Sequence, residues 1–466
     1  MRNAEEWRER GDRRREAIMS WKYHCQRTDE GYYLLSEGVQ VPVRIFMTET
    51  LFRQCEESVF SQIVAATRFP GVTDVVITPD AHTGYVVPVG CVMATTGTLC
   101  QAPVGYDIGC GMMAFRSDVD FSKGRDHALR KRFSEEVMSR IGLGVGQNGK
   151  TKFNPNRFQN VIRQGAAALG YQRASTEREF IPVDDSWDPP AHAVHRGIGQ
   201  LGSLGGGNHF CELQHDQQGK LWVMVHTGSR GFGHALATHF INAGKQYLKE
   251  QKVDVRGGAE AVYFEPDTPL YRGYKNAIAA GANFAIANRL LIWESVGTAF
   301  KKVFGQEPEL VYEISHNLAQ EEVTPTGDVR WIHRKGATRA FPAGHPMLKG
   351  TRWEKTGHPI LIPGSMGDTS YILYASEGAA KSLYSVNHGC GRQHSRSACK
   401  DLFTQSGVRK QMAGLDVMVN AGGQIPIDEC PGAYKPAKDV IQAVLDAGLA
   451  TVAYKLTPMA SIKGVD

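Results

Sequence analysis

Polar motifs rich in glycine and histidine run through this chain from PDAHTG near residue 80 to IKG at 462–464. Between them come GGGNHF (205–210), VHTG (225–228), SHN (315–317) and NHGCGR (387–392). No internal repeat or low-complexity linker separates them. If the motifs act together they must converge in space, which calls for one mixed α/β domain rather than a string of modules. The 466 residues suffice for one large domain, and 42% hydrophobic with 22% charged residues permit a packed core and argue against global disorder. The 51 glycines lie beside histidines rather than in linkers, as expected where backbone must approach a ligand closely.

Several classes are excluded or left open. A formal net charge of +5 admits an anionic partner without identifying nucleic acid. The nine cysteines are odd in number, scattered and without a CxxC pair. That excludes a cysteine-rich zinc ribbon, disfavours a disulfide framework and fits a reducing cytoplasm, the expected location. The first 22 residues are heavily charged and lack the apolar segment of a signal peptide. No run of about 18 apolar residues is present to span a membrane.

The coarse pattern predicts a charged helical extension over 1–35, helical through residue 30, and a larger unit over 36–466. Strands are expected at 39–47, 73–78, 221–226 and 309–316, with a turn-rich stretch at 79–94. Helices are expected at 124–140, 154–170, 272–304 and 436–449, the third with small residues on one face. Residues 181–195 read as a proline-containing loop.

Four constellations use the side chains of metal sites. In YDIGCG, Asp107 and Cys110 stand three apart on a glycine turn and can face one ion; a buried cysteine beside a capping aspartate has the same pattern. In GSLGGGNHFCE, a glycine run able to cradle phosphate presents His209, with Glu212 following; a flexible loop with an incidental histidine is the alternative. VMVHTGSRGFG ends a strand at His226 and places Arg230, a suitable phosphate clamp, on the turn. VYEISHN repeats that grammar with His316. Imidazole, carboxylate and thiolate together suit Mn, Fe, Co or Zn, and five donors exceed one closed tetrahedral site, which favours two ions. In VNHGCGR, His388 could be a ligand, a general base or a phosphoryl-accepting nucleophile. His192 and His195 in the proline loop, and His234 and His239 on an apparent helix, lack a glycine turn or acidic neighbour and read as structural or surface residues.

The run TPDAHTGYVVPVGCVMA, YDIGCGM, GGGNHF, HTGSRGFG, SHN, HRKGATRAFPAG, PGSMG and HGCGR, in that order, resembles the RtcB family of 3′-phosphate RNA ligases over roughly residues 40–464. The resemblance implies a single α/β domain around a buried two-manganese centre. It implies Asp107, Cys110, His209, His226 and His316 as ligands, with Cys110 bridging, and His388 as the residue that takes GMP from GTP. The implied guanylate pocket comprises Asn208, His209, Phe210, Cys211, Glu212, His316, Asn317, Pro363, Gly364, Ser365, Met366, Ser370, His388, Gly389, Cys390, Gly391, Tyr434 and Lys463. Arg230 and Arg392 would hold RNA phosphates.

The implied activity joins RNA 3′-phosphate or 2′,3′-cyclic phosphate ends to 5′-hydroxyl ends, in transfer-RNA splicing or RNA repair. The implied protein is a monomer, with archease as a candidate activator. Two positions depart from the family pattern: Cys390 replaces a common alanine, and Met113 stands where relatives are often polar or basic. A two-metal phosphoesterase would explain the ligands but gives no role to Lys463 or to a non-ligand His388. A non-catalytic RNA-binding relative is disfavoured because the nucleophile and every ligand are present.

Overall fold

The computed structural model describes residues 20–171, 181–253 and 261–465. The expected N-terminal helix lies outside these residues up to position 19. Within them it is only the short turn Ser20–Tyr23, and the chain then enters a β-sheet. That seven-stranded sheet runs, in spatial order, Cys25–Arg27, Tyr33–Leu35, Val43–Ile45, Val72–His82, Val89–Thr95, Val329–Lys335 and Asn317–Val323. The strand expected at 39–47 shrinks to Val43–Ile45, starting after Pro42, whose nitrogen cannot donate to a ladder. The stretch expected as turns at 79–94 is mostly strand. Its apolar run is buried from Val75 to Ala81, and Pro79 sits in a register slip between Ile77 and His82, where its missing donor is tolerated.

The second sheet has eight strands. Seven follow the order Glu309–Ser315, Gly111–Asp120, Lys220–Thr227, Phe210–His215, Ala450–Lys463, Ser370–Ala375 and Pro359–Ile362, and Met418–Val419 pairs parallel to Ala450–Lys463. His316 sits at the corner between the sheets: Ser315 ends a strand of this one and Asn317 begins a strand of the other. A core containing Val75, Val92, Ile360, Leu373 and Val440 joins the two.

The helix expected at 272–304 is Pro269–Phe304. Thr268 caps it, proline occupies its first turn, and Gly305 at φ 81° ends it. It is buried on every side from Asn276 to Ile292, not on one face alone. Its small residues let other backbone approach: Gly281 meets Ile108, and Gly109 meets Ala282. The helix expected at 124–140 breaks at Asp126, whose carboxylate caps His127–Arg140. The one expected at 154–170 is α-helical over Pro155–Gln164 and tightens to a 3-10 turn after it. The last helix is Ala437–Asp446. Residues 191–195 are not loop but open the helix Ala191–Ile198, after a proline pair that presets the chain for a first turn.

Candidate functional site

Strand register gathers the scattered motifs. Gly111 pairs with Ser315 and with Thr227 across neighbouring strands. His226 pairs with Phe210, and Phe210 with Lys463. Cys110 precedes Gly111, His209 precedes Phe210 and His316 follows Ser315, so all these side chains leave the large sheet at the same end.

There they meet. Cys110 Sγ lies 3.4 Å from His209 Nε2 and 3.3 Å from His226 Nε2. His226 Nε2 is 3.3 Å from His316 Nε2, and Asp107 Oδ2 is 3.3 Å from His209 Nε2. The donor atoms of Cys110, His209 and His226 all fall within 4.8 Å of one another. Backbone carbonyls fix two of the rings: Nδ1 of His209 faces Leu204 O at 3.0 Å and Nδ1 of His226 faces Asn208 O at 3.1 Å. At His226 the Nδ1–H then donates outward and the Nε2 lone pair points into the cluster, the arrangement used by metal-bound histidines. Burial drives His209, His226 and His316 toward the neutral, ligating form. Asp107 accepts from Ser229 N and Oγ, both at 2.9 Å. Against the effect of burial, His209 and Arg230 hold its carboxyl below the usual range. A carboxylate, a thiol and three imidazoles converging in this way suit a transition-metal ion, and their number suits two.

His388 adjoins this cluster, with its ring centroid 4.5 Å from that of His316. Its Nδ1 lies 2.8 Å from Oδ2 of Asp80, which is fully buried. Burial opposes ionisation of Asp80, but His388 and the Thr78 hydroxyl, 2.6 Å away, hold its carboxyl low. Gly336, at φ 65°, lies against the His388 ring, where a Cβ would crowd Cε1 and Nδ1.

A cavity of about 350 Å³ opens over both groups. Its walls include the five candidate ligands and Asn208, Phe210, Glu212, Asn317, Pro363–Met366, His388–Arg392, Tyr434 and Lys463. Cys211, expected with them, does not line it. On an alternating strand its side chain faces the other way, into a core with Leu213 and Val223. Ser370 braces the wall from behind, accepting from Gly364 N and Gln214 Nε2, both at 3.0 Å. Arg230 stands behind His209, with Nη1 2.8 Å from its Nδ1, in space that a Cβ on Gly205 would fill. The Arg392 guanidinium is engaged inside the protein, donating to Asp428 O at 2.7 Å and Glu429 Oε1 at 3.1 Å. Met113 is buried in a core rather than facing the cavity, and the Cys390 thiol donates to Pro363 O at 3.3 Å.

Several residues at the site went unassigned from the sequence, among them Asp80, Lys335 and Glu429. Asp80 sits inside the PDAHTG run, where nothing local marks it as His388's partner. Lys335, in HRKGATRAFPAG, donates to Tyr85 O and Val87 O at 2.8 and 2.9 Å, and burial pulls its ammonium down to about 8. Glu429, in DECPGAYK, accepts from Tyr434 Oη at 2.6 Å and from Lys463 Nζ at 3.3 Å. Burial opposes its ionisation, yet Lys463 and Arg396 hold its carboxyl at about 2. Glu212 is pushed the other way, up to about 7 by burial.

Residues 62–464 match the family described as tRNA-splicing ligase RtcB. The chain is 33% identical to a tRNA-splicing ligase RtcB of Pyrobaculum aerophilum, with 91% of this chain and 95% of that protein covered. It is 32% identical to the protein of that name in Thermococcus kodakarensis, with the same coverage. An RNA-splicing ligase RtcB homolog 2 of Entamoeba dispar is 30% identical, with 90% and 87% covered.

Proposed function

Since the chain belongs to the RtcB family of tRNA-splicing ligases, we propose that it is an RNA ligase that charges His388 with GMP from GTP. It then joins RNA 3′-phosphate or 2′,3′-cyclic phosphate ends to 5′-hydroxyl ends, in transfer-RNA splicing or RNA repair. The observation that carries this reading is His388 itself, oriented by a buried aspartate at the edge of the ligand cluster.

With Nδ1–H directed at Asp80, the Nε2 lone pair of His388 is free to attack the α-phosphorus of GTP. The N–P bond forms as the bond to pyrophosphate breaks. GMP passes from His388 to the RNA 3′-phosphate, and the 5′-hydroxyl oxygen of the second RNA end attacks that activated phosphate and expels GMP. A 2′,3′-cyclic end is first hydrolysed to the 3′-phosphate. Asp107, Cys110, His209, His226 and His316 would hold two manganese ions, which supply charge stabilisation at phosphate oxygens. Glu212 and Lys463, facing the same cavity, offer an acceptor and a donor to a guanine edge.

The test is incubation with labelled GTP and manganese. A protein-bound GMP that is lost in acid and survives alkali is expected. His388→Ala should form no adduct, retain its manganese, and still seal an RNA supplied with a guanylated 3′ end. Adduct formation by His388→Ala, or loss of its metal, would remove the nucleophile assignment and favour a two-metal phosphoesterase.

A further inference from the structure

Four of the histidines outside the metal motifs share one surface. His192 and His195 lie on the helix Ala191–Ile198, His234 and His239 on the helix Arg230–Glu250, and all four are exposed. The two helices run antiparallel. At one end Gly197 lies against Phe232, with no room for a Cβ, and Gly231 N donates to Gln200 Oε1 at 3.0 Å. At the other end the rings of His192 and His239 are 5.8 Å apart. His195 and Arg196, both exposed, follow His192 by three and four residues, the spacing that shares its helix face.

The seam begins at the cavity. Tyr106, in the cavity wall beside Asp107, stacks on His234 with centroids 5.2 Å apart and planes 23° apart. Tyr85 tilts against the Tyr106 ring at 5.4 Å. The charge along the seam is mainly positive. The two helices carry one carboxylate, Glu250 at the last position of the second, against Arg196, Lys245 and Lys249 besides the histidines, while Arg230 turns inward behind His209. Ring planes flanked by cations are how single strands are held: bases stack on the rings, and backbone phosphates meet the positive charges.

We propose that the seam between these two helices is the track along which a single strand of RNA reaches the active site. The proposal rests on the RNA-ligase reading above and adds to it a binding surface outside the cavity. Bases next to the reacting end would stack on His234 and the seam histidines. Arg196 would neutralise a backbone phosphate.

The test uses the full chain carrying His195→Ala, Arg196→Ala and His234→Ala together. All three positions are exposed, and none belongs to the ligand cluster or to the His388 pair. GMP uptake, which involves no RNA, should match the unaltered protein. Affinity for a labelled single-stranded RNA should fall about tenfold or more, and the slope of log affinity against log salt should shrink by about one. Lys301→Ala with Lys302→Ala, at the end of the long helix, is the charge control and should change neither. RNA carrying 4-thiouridine near its reacting end should photo-crosslink to peptides from 191–198 or 230–249. Unchanged affinity and salt slope in the triple variant, or crosslinks confined to other segments, would overturn the track. An unaltered protein that takes up no GMP would overturn the ligase reading instead, and its RNA affinity would still decide the seam.

Discussion

At His388 the Asp80 carboxylate, 2.8 Å from Nδ1, decides which ring nitrogen can react. Asp80→Asn keeps the shape of the side chain but removes the carboxylate that fixes Nδ1–H. The rate of GMP transfer from GTP should fall on the order of 100-fold or more, as for other base-orienting groups, with metal content unchanged. Single-turnover labelling measures this, and a wild-type rate in the variant would strip Asp80 of the role. Cys110 offers a separate test at the same scale. Its sulfur is 3.3–3.4 Å from two imidazole nitrogens, and a serine hydroxyl is a much poorer ligand for a soft-to-borderline ion. Cys110→Ser should sharply reduce manganese retained after gel filtration; unchanged stoichiometry and ligation would contradict a bridging thiolate.

At the scale of elements, the long helix Pro269–Phe304 is the spine that holds the ligand-bearing segments in register. Its fully buried Arg289 pairs with Glu313. It also donates to Gly109 O at 2.7 Å, to Thr227 O at 3.2 Å and to Ser315 Oγ at 2.9 Å. These touch the turn before Cys110, the strand end after His226 and the strand end before His316. Arg289→Met strands a buried carboxylate and three acceptors, and should cost about 3–5 kcal/mol in urea unfolding. Adding Glu313→Met should recover part of that loss, because an apolar pair removes the unpaired charge. If the single variant unfolds at the wild-type midpoint, the spine is packing alone. Lys463 belongs to this scale too. A tail of this composition looks dispensable, but Ala450–Lys463 is an interior strand of the eight-stranded sheet. Removing residues 463–466 would therefore disturb a strand end as well as a donor, and Lys463→Ala is the cleaner probe of guanine binding.

At the scale of the whole molecule, acid should destabilise the fold through a histidine far from the chemistry. His333 is fully buried, with Nε2 accepting from Cys100 N at 2.9 Å and Nδ1 facing Met93 O at 3.2 Å. Burial pulls it from 6.5 down to about 4. The unfolded chain therefore binds this proton from about 6.5, and the folded chain only below about 4. The stability at stake is present in full above 6.5 and is lost as pH falls through that window, amounting to about 3 kcal/mol. His333→Gln should flatten the pH dependence of the unfolding free energy between pH 6.5 and 4. An unaltered slope in the variant would place the acid sensitivity elsewhere.

Much of the site was legible as composition in short runs. Glycine turns beside His209, His226 and His388, and the spacing of Asp107 and Cys110, follow from local chemistry that needs no neighbours to be recognised. Their shared order along the chain was enough to place it in a family. Pairing across distance was not legible. Asp80 reaches His388 only because two chain segments 308 positions apart meet in the fold, and Cys211 turns away from the cavity because strand alternation, not proximity in sequence, sets its direction. The same holds for turns that became strands at 79–94 and for a proline loop that became helix at 191. In each, burial and pairing with distant backbone outweigh local propensity. By itself the sequence determined the candidate ligand types and the mixed α/β class, because those depend on which side chains are present and in what pattern, and its resemblance to a family singled out His388 as the candidate nucleophile. The tertiary structure alone decided which histidine meets which carboxylate and which side chains face the cavity, because both depend on the register between strands that no local pattern encodes.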